Sequence, residues 1–219
     1  MTTSIPAANI AIFSAQVPMM VTSLPNMLTL SRIVVIPLLV ATFYVDDSTA
    51  RWVACGLFVA AAITDWFDGW LARSRNQVSV LGRFLDPIAD KLLVASALFM
   101  LGAFDRVSTV SYLPALIIVL REILVSGLRE FLAEVRVGMP VSRLAKWKTG
   151  IQLTAIPVLL VGDAGPAWLP TRDLGEVGLW LAAVLTLITG WDYLQSGIRH
   201  IRAHSEVPEK TGASPRHVG

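Results

Sequence analysis

Long apolar runs broken by short polar stretches set the pattern of this chain. The runs cover about 26–45, 50–73, 80–103, 110–134, 146–163 and 174–202, each close to the length of helix that crosses a bilayer's hydrocarbon. The breaks fall at Asp46-Asp47, at Asp105-Arg106, at Val137-Gly138-Met139-Pro140 and across the Gly/Pro-rich stretch 162–172. No internal repeat interrupts the sequence. The pattern predicts an all-α integral membrane protein with six transmembrane helices over residues 25–203. Residues 1–24 lack Lys and Arg, so they make a poor secretory signal. They read as a tail or a short interfacial helix, NIAIFSAQVPMMVTSL, with Met19 and Met20 as other possible starts. Residues 204–219 read as a C-terminal tail.

Composition agrees. Of 219 residues, 54% are hydrophobic and 16% charged, and the mean hydropathy is +0.63. That excludes an ordinary water-soluble core. The lone Cys55 rules out an internal disulfide and carries no metal or redox signature. The formal charge is only +2, so its distribution matters more than its sum. Arg73, Arg75 and Arg83 sit between spans two and three. Arg136, Arg143, Lys146 and Lys148 sit between spans four and five, and Arg199, Arg202, Lys210 and Arg216 in the tail. The opposite loops carry only Arg51, Arg106 and Arg172. Positive charge collects on the cytoplasmic side, so both termini are expected there, in an inner (plasma) membrane. Trp66, Trp70 and Trp147 read as interfacial anchors. No nucleic-acid partner is expected.

Against this apolar background, residues 65–90 read DWFDGWLARSRNQVSVLGRFLDPIAD and hold Asp65, Asp68, Asp86 and Asp90. At about 100° per residue, Asp65, Asp68, Gly69 and Ala72 share one helix face, and Gly82, Asp86 and Asp90 share a face of the next helix. Two carboxylate pairs on adjacent helices can converge on one point. Carboxylates crowded in a low-dielectric pocket need cations, and hard divalent ions with oxygen ligands, Mg²⁺ or Mn²⁺, answer that need. Two such ions suit attack on a phosphate. The small residues let a bulky ligand lie against the helix backbone.

Ionisable groups inside spans are costly and suggest function. Arg32 lies early in span one, and Arg121 and Glu122 interrupt span four. Arg129 lies further along span four, and Lys146 and Lys148 open span five. Arg32, Arg121, Arg129, Lys146 and Lys148 are five cations able to gather at a cytoplasm-facing polar cavity, and guanidinium forks suit phosphate oxygens. They suggest a substrate with a phosphate of its own. The two lysines read equally well as anchors for lipid headgroups. Lys91 reads as a counter-ion to the aspartates or a snorkelling residue. Asp192 has no evident partner, and His200 and His204 read as solvated.

The spacing D-x2-D-G-x2-A-R-x8-G-x3-D-x3-D over residues 65–90 resembles the signature of the CDP-alcohol phosphotransferase family. The wider resemblance includes LPNMLTLSRIVVIP, REILVSGLREF and KWKT, and runs from about residue 24 to 195. REILVSGLREF favours members that take glycerol 3-phosphate over siblings that take inositol phosphate, serine or choline. The resemblance implies transfer of a phosphatidyl group from CDP-diacylglycerol to glycerol 3-phosphate with two divalent metal ions. Asp65, Asp68 and Asp86 would hold one ion, with Asp65, Asp86 and Asp90 around the other. Asp90 would take the acceptor's proton. Asn26, Thr29, Gly69, Ala72, Arg73, Ser79 and Gly82 would line the CDP-diacylglycerol site. Arg32, Arg121, Arg129, Lys146 and Lys148 would hold the acceptor phosphate. It also implies a homodimer. Another acceptor, inositol phosphate or phosphatidylglycerol, stays open, as does a divalent-cation transporter. A transporter would spread ionisable groups through the membrane depth, whereas the outer halves here carry few.

Overall fold

The computed structural model describes residues 24–75, 80–134 and 143–205. Within them, the side chains at 24–26, 28, 66, 68–75, 80–84, 86, 134, 143 and 200–205 fall outside the described set. The described residues form six α-helices and two single 3₁₀ turns. The helices are α1 (Leu24–Thr42), α2 (Ser48–Arg75), α3 (Val80–Ala103), α4 (Tyr112–Glu134), α5 (Arg143–Val161) and α6 (Thr171–Ser205). Each falls on one of the apolar runs. The tail expected at 1–24 lies outside the described residues except for Leu24, as does 206–219.

The chain ends its helices with local devices. Asp47 opens α2 by accepting a bond from the Thr49 N–H at 3.2 Å, as an N-cap carboxylate does. At the end of α3, Asp105 has φ +51, the Arg106 N–H reaches the Leu101 carbonyl at 2.9 Å, and the Asp105 N–H reaches Gly102 at 3.1 Å. That pair of bonds turns the chain out of the helix. After α5, Gly162 also leaves the right-handed region, with φ +46.

The helices close into a ring in the order α1, α2, α5, α6, α4, α3, with α3 also touching α5. The core is filled by Leu39, Phe58, Leu101, Ile118, Leu159 and Leu179, all essentially without exposure. Glycines on α6 set the closest approach: a Cβ at Gly178 would lie 2.9 Å from that of Ala155 on α5. Small residues at such crossings let helix backbones meet.

The exterior is apolar. Val34, Leu38, Phe99, Leu120, Leu181 and Leu187 are all more than half exposed. Contiguous exposed hydrophobics of this kind mark a surface meant for something other than water. Among the described residues, Thr109–Ala133 and Thr171–Arg199 are long and apolar enough to cross a membrane. The other four helices carry the aspartates, Arg32 and the α5 lysines in their site-end halves.

The two ends of the bundle differ. At one end, Glu176 of α6 accepts from the Ser108 N–H at 2.7 Å and the Ser111 hydroxyl at 2.6 Å. Nearby, the Trp52 indole N–H donates to the Ala164 carbonyl at 3.2 Å, and Arg51 lies 3.7 Å from Asp163. These bonds tie the starts of α2, α4 and α6 to the end of α5. The other end holds the ionisable groups of the candidate site.

Candidate active site

Three helices build the carboxylate half. Asp65 lies past the middle of α2 and Asp90 in the middle of α3, and Arg32 of α1 sits between them. One Arg32 Nη donates to Asp65 Oδ1 at 2.7 Å and to Asp90 Oδ1 in a short contact. The arginine side chain is 1% exposed, while the carboxylates are 44% and 43% exposed. The guanidinium therefore lies beneath, and the carboxylates face outward. Buried charge of this kind persists only when paired.

Asp68 follows Asp65 by three residues on α2, and Asp86 precedes Asp90 by four on α3, so each shares the helix face of its described partner. Their side chains lie outside the described residues, as do those of Asn26, Gly69, Ala72, Arg73, Gly82 and the whole of Ser79. Thr29, one turn before Arg32, is described and buried at 1% exposure. Among the described residues no three acidic, His or Cys side chains come together, since only two of the four aspartates are among them. The donor set nevertheless fits a divalent ion: hard oxygens from two helices already converge on a single cation.

Pro87 stands between Asp86 and Asp90 inside α3. A proline there removes one backbone hydrogen bond of the helix. The Lys91 ammonium donates to the Pro87 carbonyl at 2.7 Å, and Lys91 stands within electrostatic range of Glu122 and Asp90.

The second half of the site is cationic and belongs to α4, α5 and α6. Lys148 of α5 is 4% exposed in its side chain and bonds the Glu122 carboxylate. The same oxygen lies 3.5 Å from Arg121, which is 13% exposed. Two nearly buried cations thus share one carboxylate and keep a net positive charge. Arg121 also donates to the Thr189 hydroxyl at 3.0 Å and stands 5.6 Å from the centre of the Tyr193 ring.

The cations expected to act together therefore fall into separate groups. Arg32 lies with the aspartates, and Arg121 and Lys148 form a buried pair through Glu122. Arg129 and Lys146 are exposed. Trp147 is 69% exposed, in keeping with an anchor, and Asp192 is exposed. Thr189 and Tyr193 are the contacts that sequence reading misses. They lie about 70 residues from Arg121, and only the packing of α4 on α6 reveals them. An apolar groove of about 1010 Å³ lies away from the site, between α1, α3 and α4, lined by residues such as Tyr44, Phe99 and Leu116.

The profile of the CDP-alcohol phosphatidyltransferase family matches residues 22–188. A Rickettsia felis protein named CDP-diacylglycerol–glycerol-3-phosphate 3-phosphatidyltransferase is 49% identical over 174 residues, covering 80% of this chain and 94% of that one. Proteins of the same name from Cereibacter sphaeroides and Pectobacterium atrosepticum are 37% and 40% identical. They cover 82% and 81% of this chain, and 97% and 96% of their own. With both halves of the site and these relatives in view, the chain belongs to the CDP-alcohol phosphatidyltransferase family.

Proposed function

We propose that the protein transfers a phosphatidyl group from CDP-diacylglycerol to sn-glycerol 3-phosphate, giving phosphatidylglycerophosphate and CMP. The observation that carries this reading is the division of one end of the bundle into a carboxylate group and a separate buried cation pair. The first suits a metal-bound diphosphate. The second suits a substrate that brings its own phosphate. The relatives bear the name of this activity.

Asp65, Asp68, Asp86 and Asp90 would hold the divalent ions, Mg²⁺ or Mn²⁺, which when bound neutralise the diphosphate and the departing CMP. Thr29 and the small residues of α2 and α3 would receive the cytidine side of the donor. Arg32 orients Asp65 and Asp90 from beneath. The acceptor's terminal hydroxyl oxygen bonds to the phosphorus that carries the diacylglycerol. The bond from that phosphorus to CMP breaks, and the hydroxyl proton passes to a carboxylate oxygen of Asp90. Arg121 and Lys148 hold the acceptor's phosphate by charge-assisted bonds, with Arg129 and Lys146 drawing the anion toward them. Glycerol without a phosphate would bring no anion to the excess positive charge that Glu122 leaves on this pair, and so be bound poorly.

The bundle would span the inner membrane with its site toward the cytoplasm, where both substrates' headgroups are delivered. The apolar exterior and the placement of Lys and Arg support this. A homodimer follows from the family resemblance, and light scattering in detergent should give the mass of two chains.

The test is CMP release by purified protein supplied with CDP-diacylglycerol and, in turn, glycerol 3-phosphate, glycerol, inositol phosphate and phosphatidylglycerol. Release with glycerol 3-phosphate alone, with phosphatidylglycerophosphate as product, is expected. Equal release with another acceptor would overturn the acceptor assignment.

A further inference from the structure

Arg121 of α4 packs against α6. Helices α4 and α6 run side by side in one register, seen where Glu176 takes the Ser108 N–H, where Arg121 meets Thr189, and where Gly197 meets Leu128. At the middle of this seam three residues of α6 hold the arginine.

Thr189 is fully buried, and its hydroxyl donates to the Leu185 carbonyl at 2.8 Å. With its single hydrogen committed to its own helix, the oxygen presents lone pairs, and the Arg121 Nη2 donates to it at 3.0 Å. Gly190 gives the arginine stem a place to lie: a Cβ there would stand 3.1 Å from Arg121 Cγ and 3.4 Å from Nε. One turn on, Tyr193 is 6% exposed and sets its ring beside the guanidinium. The Arg121 Nε is buried and donates to no protein atom. The orphaned Nε is the cost of seating the stem against Gly190, where no acceptor lies.

We propose that Thr189, Gly190 and Tyr193 form a positioning cradle that aims Arg121 at the acceptor's phosphate, so that α6 sets acceptor recognition without touching the acceptor. The inference rests on the acceptor reading above. Thr189 fixes the guanidinium's direction, Gly190 its depth and Tyr193 its tilt. None of them belongs to the carboxylate half, so the donor nucleotide should not sense their loss.

The experiment uses the full chain in detergent and measures both KM values, kcat and Tm. Thr189→Val keeps the shape and removes the hydroxyl, and Thr189→Ser keeps the hydroxyl. Thr189→Val should raise the glycerol 3-phosphate KM roughly three-fold to ten-fold, as loss of one ordinary intramolecular hydrogen bond that positions the arginine implies. The CDP-diacylglycerol KM should stay within about two-fold, because that substrate rests on the aspartates, and Thr189→Ser should restore the wild-type value. Gly190→Ala retains every hydrogen bond but forces the arginine stem to move, and should raise the same KM. This second variant keeps the test decisive should Thr189→Val fail to fold. A lower Tm with unchanged acceptor KM in both variants would reduce the cradle to helix packing and overturn the proposal, as would a parallel rise of both KM values. Arg121→Ala is run beside them. If it raises the acceptor KM while the cradle variants do not, the cradle alone is wrong. If it leaves the acceptor KM unchanged, the acceptor reading fails and the cradle with it.

Discussion

Arg32 donates to Asp90 across the interface of α1 and α3, and the same nitrogen bonds Asp65 at 2.7 Å. A cation that lies under two outward-facing carboxylates is placed to hold them in position. Arg32→Ala should therefore lower kcat, by about ten-fold to a hundred-fold for loss of charge-assisted bonds, with little change in the glycerol 3-phosphate KM. Asp90→Asn should likewise lose turnover more than it loses CDP-diacylglycerol binding. Steady-state kinetics checks both. A rise in acceptor KM at constant kcat would move Arg32 to the phosphate half.

The aspartates of α2 and α3 should be indispensable as a set. Asp65→Asn or Asp86→Asn should abolish CMP release, to less than about one part in a hundred of the wild type, while the protein still inserts and purifies. A chelator should do the same to the wild type, and added Mg²⁺ or Mn²⁺ should reverse it. Substantial residual turnover in either variant would remove that residue from the essential ligands.

Much of this was legible in the sequence, for stated physical reasons. Helix length and the breaks at Asp46-Asp47 and Asp105-Arg106 depend on local composition, so all six helices fall where the apolar runs lie. That Asp65 and Asp90 come together was legible, because their spacings within residues 65–90 put each on one face of its helix. The partner of Arg32 was not. A buried arginine demands an anion, and a phosphate and a carboxylate meet that demand equally until α1 is laid against α2 and α3. Arg121 met the same obstacle: an apolar run shows that a helix exists but not how it is rotated about its axis. That rotation decides whether Arg121 faces Thr189 of α6 or turns away from it.

At the end of the bundle away from the site, Glu176 is a structural residue. It accepts bonds from the Ser108 N–H and the Ser111 hydroxyl and lies 3.5 Å from Arg172. Glu176→Ala leaves these donors without their acceptor and should cost about 1.5–3 kcal/mol. For a chain of this size that is a Tm drop of roughly 5–10 °C, read by thermal unfolding in detergent. The KM values should hold at temperatures where the variant stays folded. An unchanged Tm would mean that water or lipid replaces the carboxylate without loss.

The central claim is that donor and acceptor are held by separate halves of one site, the first by aspartates and the second by buried cations. The most direct measurement is the pair of KM values in Arg121→Ala, with Arg121→Lys as control. Arg121→Ala should raise the glycerol 3-phosphate KM roughly ten-fold to a hundred-fold, as loss of a charge-assisted bond implies. It should leave the CDP-diacylglycerol KM nearly unchanged, and Arg121→Lys should recover only part of the loss, since an ammonium cannot form the fork. An unchanged acceptor KM, or an equal rise for both substrates, would contradict the account.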